Sequence, residues 1–80
     1  MTKQNNGWIS VDERLPEVFT NFELITRSKV VLVFGRESKK DNNPFIFAAY
    51  LGADKNFHSP EGKCYAITHW QPLPQPPETE

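Results

Sequence analysis

Five side chains in this sequence are of the types that build a nucleophilic triad: Cys64 as nucleophile, His58 or His69 as base, and Asp54 or Glu61 as orienting acid. Spacing argues against their convergence. If residues 64–70 run extended, Cys64 and His69 are an odd number of positions apart and point to opposite sides. A small buried thiol is then the plainer reading of Cys64. A structural zinc site asks for four Cys or His ligands, usually in closely spaced pairs, whereas this chain has one Cys and two His. No metal and no cofactor is expected. Asp12 and Glu13 are adjacent and therefore point apart, which does not suit paired acid–base work. The glycines at 7, 35, 52 and 62 are isolated, so there is no glycine-rich phosphate loop. The chain is expected not to be an enzyme.

The side chains left for recognition are Arg14, His69 and Trp70 near the two ends, and Arg36, Lys39 and Lys40 in the middle. Arg14 can pair with a carboxylate of the fold or with a phosphate of a ligand. His69 reads either as a hydrogen-bonded structural residue or as a ligand contact. The run Arg36-Glu37-Ser38-Lys39-Lys40-Asp41 mixes signs and is flanked by Gly35 and Asn42-Asn43-Pro44, the chemistry of a solvated loop. Pro74 and Pro77 have P-x-x-P spacing, which suits an aromatic groove on a partner. An intramolecular strap packed on Trp70, with Trp8 closing the other side, explains the same residues.

These residues need elements to position them, and eighty residues allow one small domain. We place it at residues 8–77, after a polar lead-in at 1–7 and before a frayed tail at 78–80. Hydrophobic residues make up 38% and aromatics 12% of the chain, which suits a core of few large side chains. The formal net charge of -1 supplies no basic excess, so nucleic acid is not an expected partner. A single cysteine cannot form an intramolecular disulfide, which fits a reducing cytoplasm. The longest apolar stretches, residues 30–34 and 45–51, are too short to cross a bilayer. No membrane association is expected.

The fold class follows from the strand signals: a β-rich, antiparallel meander of three or four strands. Ser10 and Glu13 have capping-box spacing, and Pro16 ends any helix after about one turn, so a short N-terminal helical turn is expected. Residues 17–28 match neither a period of two nor a helical stripe and read as a loop with a short strand. Residues 29–34 form the strongest strand, ending at Gly35, and their continuity suggests burial on both faces. Phe45–Leu51 is the second strand, with Phe45, Phe47, Ala49 and Leu51 sharing one face. Residues 56–58 give a brief third strand and residues 64–70 the last one. The prolines from Pro72 onward impose an extended strap.

Two segments carry a resemblance. Trp8-Ile9-Ser10-Val11-Asp12-Glu13-Arg14-Leu15-Pro16 resembles the W-I-x-V-x-E-R-L-P opening of the domain of unknown function 551 family. Thr68-His69-Trp70-Gln71-Pro72-Leu73-Pro74-Gln75-Pro76-Pro77 resembles its T-H-W-x-P-L-P-x-P-P close. Val31-Leu32-Val33 corresponds to a V-L-V strand, and residues 45–50 to a second strand carrying an aromatic. The sequence departs from that compact pattern by extra residues between Pro16 and Val31 and by a longer, charged loop after Phe34. The family implies provenance in bacteriophages, prophages and bacteria more than a mechanism.

The leading expectation is therefore a non-enzymatic accessory protein of phage or prophage type, acting in the cytoplasm of a bacterial host. It would bind a host protein, for example as an inhibitor of a defence system. The alternative is a protein that sequesters a small molecule such as a nucleotide signal, with Arg14 and His69 as polar contacts and Trp8 or Trp70 stacking. A homo-oligomer would suit that alternative, because so short a chain encloses little pocket volume alone.

Overall fold

The computed structural model describes residues 7–74. Among them are eight strands and no helix: β1 Ile9–Ser10, β2 Val18–Thr20, β3 Thr26–Ser28, β4 Val31–Arg36, β5 Phe45–Leu51, β6 Phe57–Ser59, β7 Gly62–Lys63 and β8 Tyr65–Pro72. Six of them form an antiparallel sheet in the order β1-β8-β4-β5-β6-β7, and β2 pairs with β3 as a separate hairpin. The β-rich antiparallel class is as the sequence implies, with more strands than the three or four expected. The additional ones are short, and two of them span only two residues.

The sheet cannot be flat. Only Cys64 separates β7 from β8, yet β4, β5 and β6 stand between those strands in the sheet. Four inter-strand spacings of about 4.8 Å would hold β7 and β8 about 19 Å apart in a flat sheet. The chain from Lys63 to Tyr65 spans at most about 7 Å. The sheet therefore curls back on itself, with Cys64 at the seam, where its N–H donates to the Phe57 carbonyl at 2.8 Å. The inside of the roll is the core: Val31, Val33, Ala49, Leu51, Phe57, Cys64 and Trp70, flanked by Ile9, Val11, Phe47 and Ile67.

Along β4 burial alternates strictly, with Val31, Val33 and Gly35 inside and Leu32, Phe34 and Arg36 half-buried. Burial on both faces is thus corrected. Only the inner face meets the core, while the outer face is partly covered, with Trp8 packed 6.4 Å from Phe34. Gly35 does not end the strand but lies inside it. A Cβ there would sit 2.8 Å from the Ala66 carbonyl oxygen and 2.8 Å from the Ile67 Cα. At this point β8 carries a bulge relative to β4, and Ala66 adopts φ 53°.

Where a short helical turn is expected, the chain makes one hydrogen-bonded turn directly after a strand. Ser10 is drawn into β1 by pairing with His69, and its hydroxyl accepts from the Asp12 N–H at 3.1 Å. The Glu13 and Arg14 N–H groups donate to the Ser10 carbonyl at 2.9 and 3.2 Å, a single turn that leads into buried Pro16. At the other end Pro72 still belongs to β8, opposite Val31, and Leu73 and Pro74 are exposed. The strap expected beyond residue 74 lies outside the described residues.

Candidate interaction surface

The residues singled out in the sequence fall into two groups. Trp70 is buried, and its indole N–H donates to the Arg14 carbonyl at 2.9 Å while the Arg14 guanidinium lies 5.9 Å from the ring centre. Arg14 and Trp70 thus come together, but the ring serves the core and the close of the N-terminal turn. His69 stands on the outer face as cross-strand partner of Ser10 and Phe34, with Nδ1 2.9 Å from Thr68 Oγ1. In the central loop, Asp41 Oδ2 accepts from the Glu37 and Ser38 N–H groups at 3.1 and 3.0 Å. That turn brings Arg36 and Lys39 to Tyr65: Arg36 is its cross-strand partner, and the Lys39 ammonium lies 5.9 Å from its ring centre. The Lys40 residue is exposed, with its N–H on Ser38 Oγ at 3.3 Å.

The triad types are not assembled. Cys64 is buried on the inner side, and burial pushes its thiol up, with a smaller contribution in the same direction from Glu37 and an opposing one from Ser59. His58 pairs with Asp54, both carboxylate oxygens lying 3.1 Å from Nε2. Among the described residues no group of three His, Cys, Asp or Glu is placed to hold a metal ion. A half-open cleft of about 240 Å³ lies over Cys64, lined also by Leu15, Lys55, Phe57, Ala66 and Ile67. It is smaller than the pockets that take drug-sized ligands.

A further surface is one that periodicity could not reveal. Residues 18–28 form the β2–β3 hairpin. Its register is Val18↔Ser28, Phe19↔Arg27 and Thr20↔Thr26, and the two threonine hydroxyls are hydrogen-bonded to each other. Asn21 builds the tip. Its N–H donates to the Ile25 carbonyl at 3.0 Å, its carbonyl accepts from Leu24, and its Oδ1 accepts from the Glu23 and Ile25 N–H groups at 2.8 and 3.1 Å. The turn so fixed holds Phe22 95% exposed and Leu24 83% exposed, with Phe19 and Ile25 exposed below them. Leu24 does so at φ 66°, a left-handed conformation that costs an L-residue with a side chain roughly 1–2 kcal/mol.

The root of the hairpin is fastened to the roll. Ser28 is buried, and its hydroxyl accepts from the Leu51 N–H at 2.8 Å and donates to the Lys29 carbonyl at 2.7 Å. Arg27 bridges to Gly52 and lays its guanidinium 4.6 Å over the Tyr50 ring. The apolar tip is thus held outside the core by an anchored, hydrogen-bonded turn. The signal available in the sequence was negative: five apolar residues between 18 and 25 that no period could turn toward a core.

Comparison with curated proteins and with solved structures finds no match. The family described as Protein of unknown function (DUF551) matches residues 7–78, which include both segments that carry the resemblance, the strands of the roll and the hairpin, and the chain belongs to that family.

Proposed function

We propose that this chain is a non-enzymatic binding module, of the phage or prophage accessory type, that docks onto a protein of the bacterial host through the tip of its β2–β3 hairpin. One observation carries the reading: Phe22 and Leu24 stand 95% and 83% exposed on a turn that Asn21 holds in place. Burying two such side chains in a partner would contribute roughly 1.5–3 kcal/mol each, and the built turn reduces the ordering cost of docking. Glu23 between them favours a pocket whose rim carries a cation. A defence component of the host is the partner class that the phage-type resemblance suggests.

The test places a photo-crosslinking amino acid at Glu23 and identifies the host protein captured, then measures its affinity for the purified chain. Phe22→Ser with Leu24→Ser should weaken binding by more than about tenfold, as removal of two anchors does. Leu24→Gly should raise stability by about 0.5–1 kcal/mol, because glycine adopts the left-handed conformation without strain, and should still weaken binding. Affinity unchanged by the double substitution, or no specific protein captured at the tip, would remove this reading.

A further inference from the structure

Rings and cations alternate along the outer face at the seam of the roll. The line begins with Arg27 over Tyr50. Tyr50 and His58 are cross-strand partners whose rings stack at 5.6 Å with 26° between planes. His58 is in turn the cross-strand partner of Lys63, whose ammonium lies 6.0 Å from the centre of the Tyr65 ring. Lys39 approaches that ring at 5.9 Å, and Arg36 stands opposite Tyr65 on β4. Cross-strand partners share a face, so these side chains belong to one outer surface, the inner partners Leu51 and Phe57 being buried.

None of the four cations, Arg27, Arg36, Lys39 and Lys63, forms an ion pair among the described residues. Four carboxylates lie beside them, two of which are held by hydrogen bonds. Asp54 is held by His58 and the Asn56 N–H, and Asp41 by the Glu37 and Ser38 N–H groups. Glu37 lies within electrostatic reach of Cys64, beside the line. Glu61 is exposed in the turn between β6 and β7, at the margin of the line. The net charge of -1 thus conceals a local gathering of cations, from β3, β4, the loop after it and β7, that only the fold creates.

We propose that this face binds single-stranded nucleic acid, with Tyr65 as the stacking platform and Lys39, Lys63 and Arg36 on the phosphates. Single strands present unstacked bases and a flexible line of phosphates, and proteins that hold them combine aromatic faces with cations in this way. An acidic peptide would use the cations and leave the rings idle. One nucleotide would leave most of these cations, spread over β4, the loop after it and β7, without a phosphate. At about 6 Å a lysine–ring contact is at the limit of useful attraction. Lys39 and Lys63 can therefore turn to phosphates and leave the Tyr65 face to a base.

The experiment is fluorescence anisotropy of the full chain with labelled oligo(dT) and oligo(U) about twelve nucleotides long, titrated at about 50 and 200 mM salt. Binding is expected with a dissociation constant on the order of 10 µM at low salt, weakening as salt rises. Lys39→Gln with Lys63→Gln should weaken it about tenfold and lower the slope of log affinity against log salt by about 1.4, two phosphate contacts on a single strand. Tyr65→Leu should weaken it about tenfold with the slope unchanged. The Phe22→Ser, Leu24→Ser chain should bind as the parent does, which separates this site from the hairpin. Thermal melts of each variant that match the parent confirm that folding is intact. No binding at about 100 µM protein and low salt, binding indifferent to these substitutions, or equal competition by duplex, by a single nucleotide or by a polyglutamate peptide would overturn the proposal.

Discussion

Asp54 is an exposed carboxylate whose neighbours have nonetheless fixed its charge. The Asn56 N–H is the largest influence, followed by the hydrogen bond to His58 and a further one from the Asn56 side chain, and together they lower its pKa from 3.8 to about 2. The folded-state value lies below that of the unfolded chain, so the stabilisation is complete above pH 3.8 and is lost as pH falls through about 2. Asp54→Asn keeps an acceptor for the Asn56 N–H but removes the charge. Urea denaturation at a series of pH values should find the parent more stable than this variant near neutrality, with the difference closing below pH 3.8 and gone near 2. A constant difference across that window would mean that the charge does not stabilise the turn. The same turn places Lys55 at φ 71°, so this short segment combines a strained backbone with the pair that holds it.

At the level of elements, Gly35 and Ala66 decide how closely β4 and β8 can approach. A methyl group at Gly35 would meet Ile67 Cδ1 at 2.5 Å and two backbone atoms at 2.8 Å, and backbone cannot swing aside as a side-chain end can. Gly35→Ala should destabilise the chain by roughly 2–3 kcal/mol, the cost of overpacking a site that cannot relax, as read from the denaturation midpoint. Loss of less than about 0.5 kcal/mol would mean that the bulge adjusts freely. Gly35 also marks where sequence reading stopped. The β4, β5 and β8 strands were legible because β-branched and aromatic residues cluster there between glycines and prolines, and the shared face of Phe45, Phe47, Ala49 and Leu51 followed from alternation, with burial falling off toward an exposed Phe45. Gly35 read as a terminator because its role depends on a facing bulge that local pattern cannot show. The Ser10 hydroxyl does hold the Asp12 N–H at the start of its turn, but its pairing with His69 was not legible because that partner lies at the far end of the chain. For the same reason Arg36 and Lys39 were legible as charged residues, while their convergence with Lys63 on Tyr65 was not.

The whole molecule is a curled sheet with a hairpin mounted on it, and the two differ in what holds them together. The core cluster draws on β4, β5, β6, β8 and the seam residue Cys64, and contains no residue of β2 or β3. The hairpin contributes one buried side chain, Ser28, and one contact over the outer face, Arg27 on Tyr50. Removing it should therefore cost the roll little. Replacing residues 20–26 by a two-residue Asn-Gly turn, which keeps the Phe19↔Arg27 and Val18↔Ser28 register, exposes no core surface and shortens a loop, whose closure cost changes only slowly with length. The shortened chain should melt within a few degrees of the parent, corresponding to less than about 1 kcal/mol for a domain of this size, and should retain the near-ultraviolet circular dichroism of packed Trp70. It should also keep any affinity for oligonucleotides while losing capture of the host protein. A large drop in melting temperature would show that the hairpin acts as a staple for the roll. The exposure of Phe22 and Leu24 would then be a by-product of stability, and the division into a folding unit and a recognition finger would fail with it.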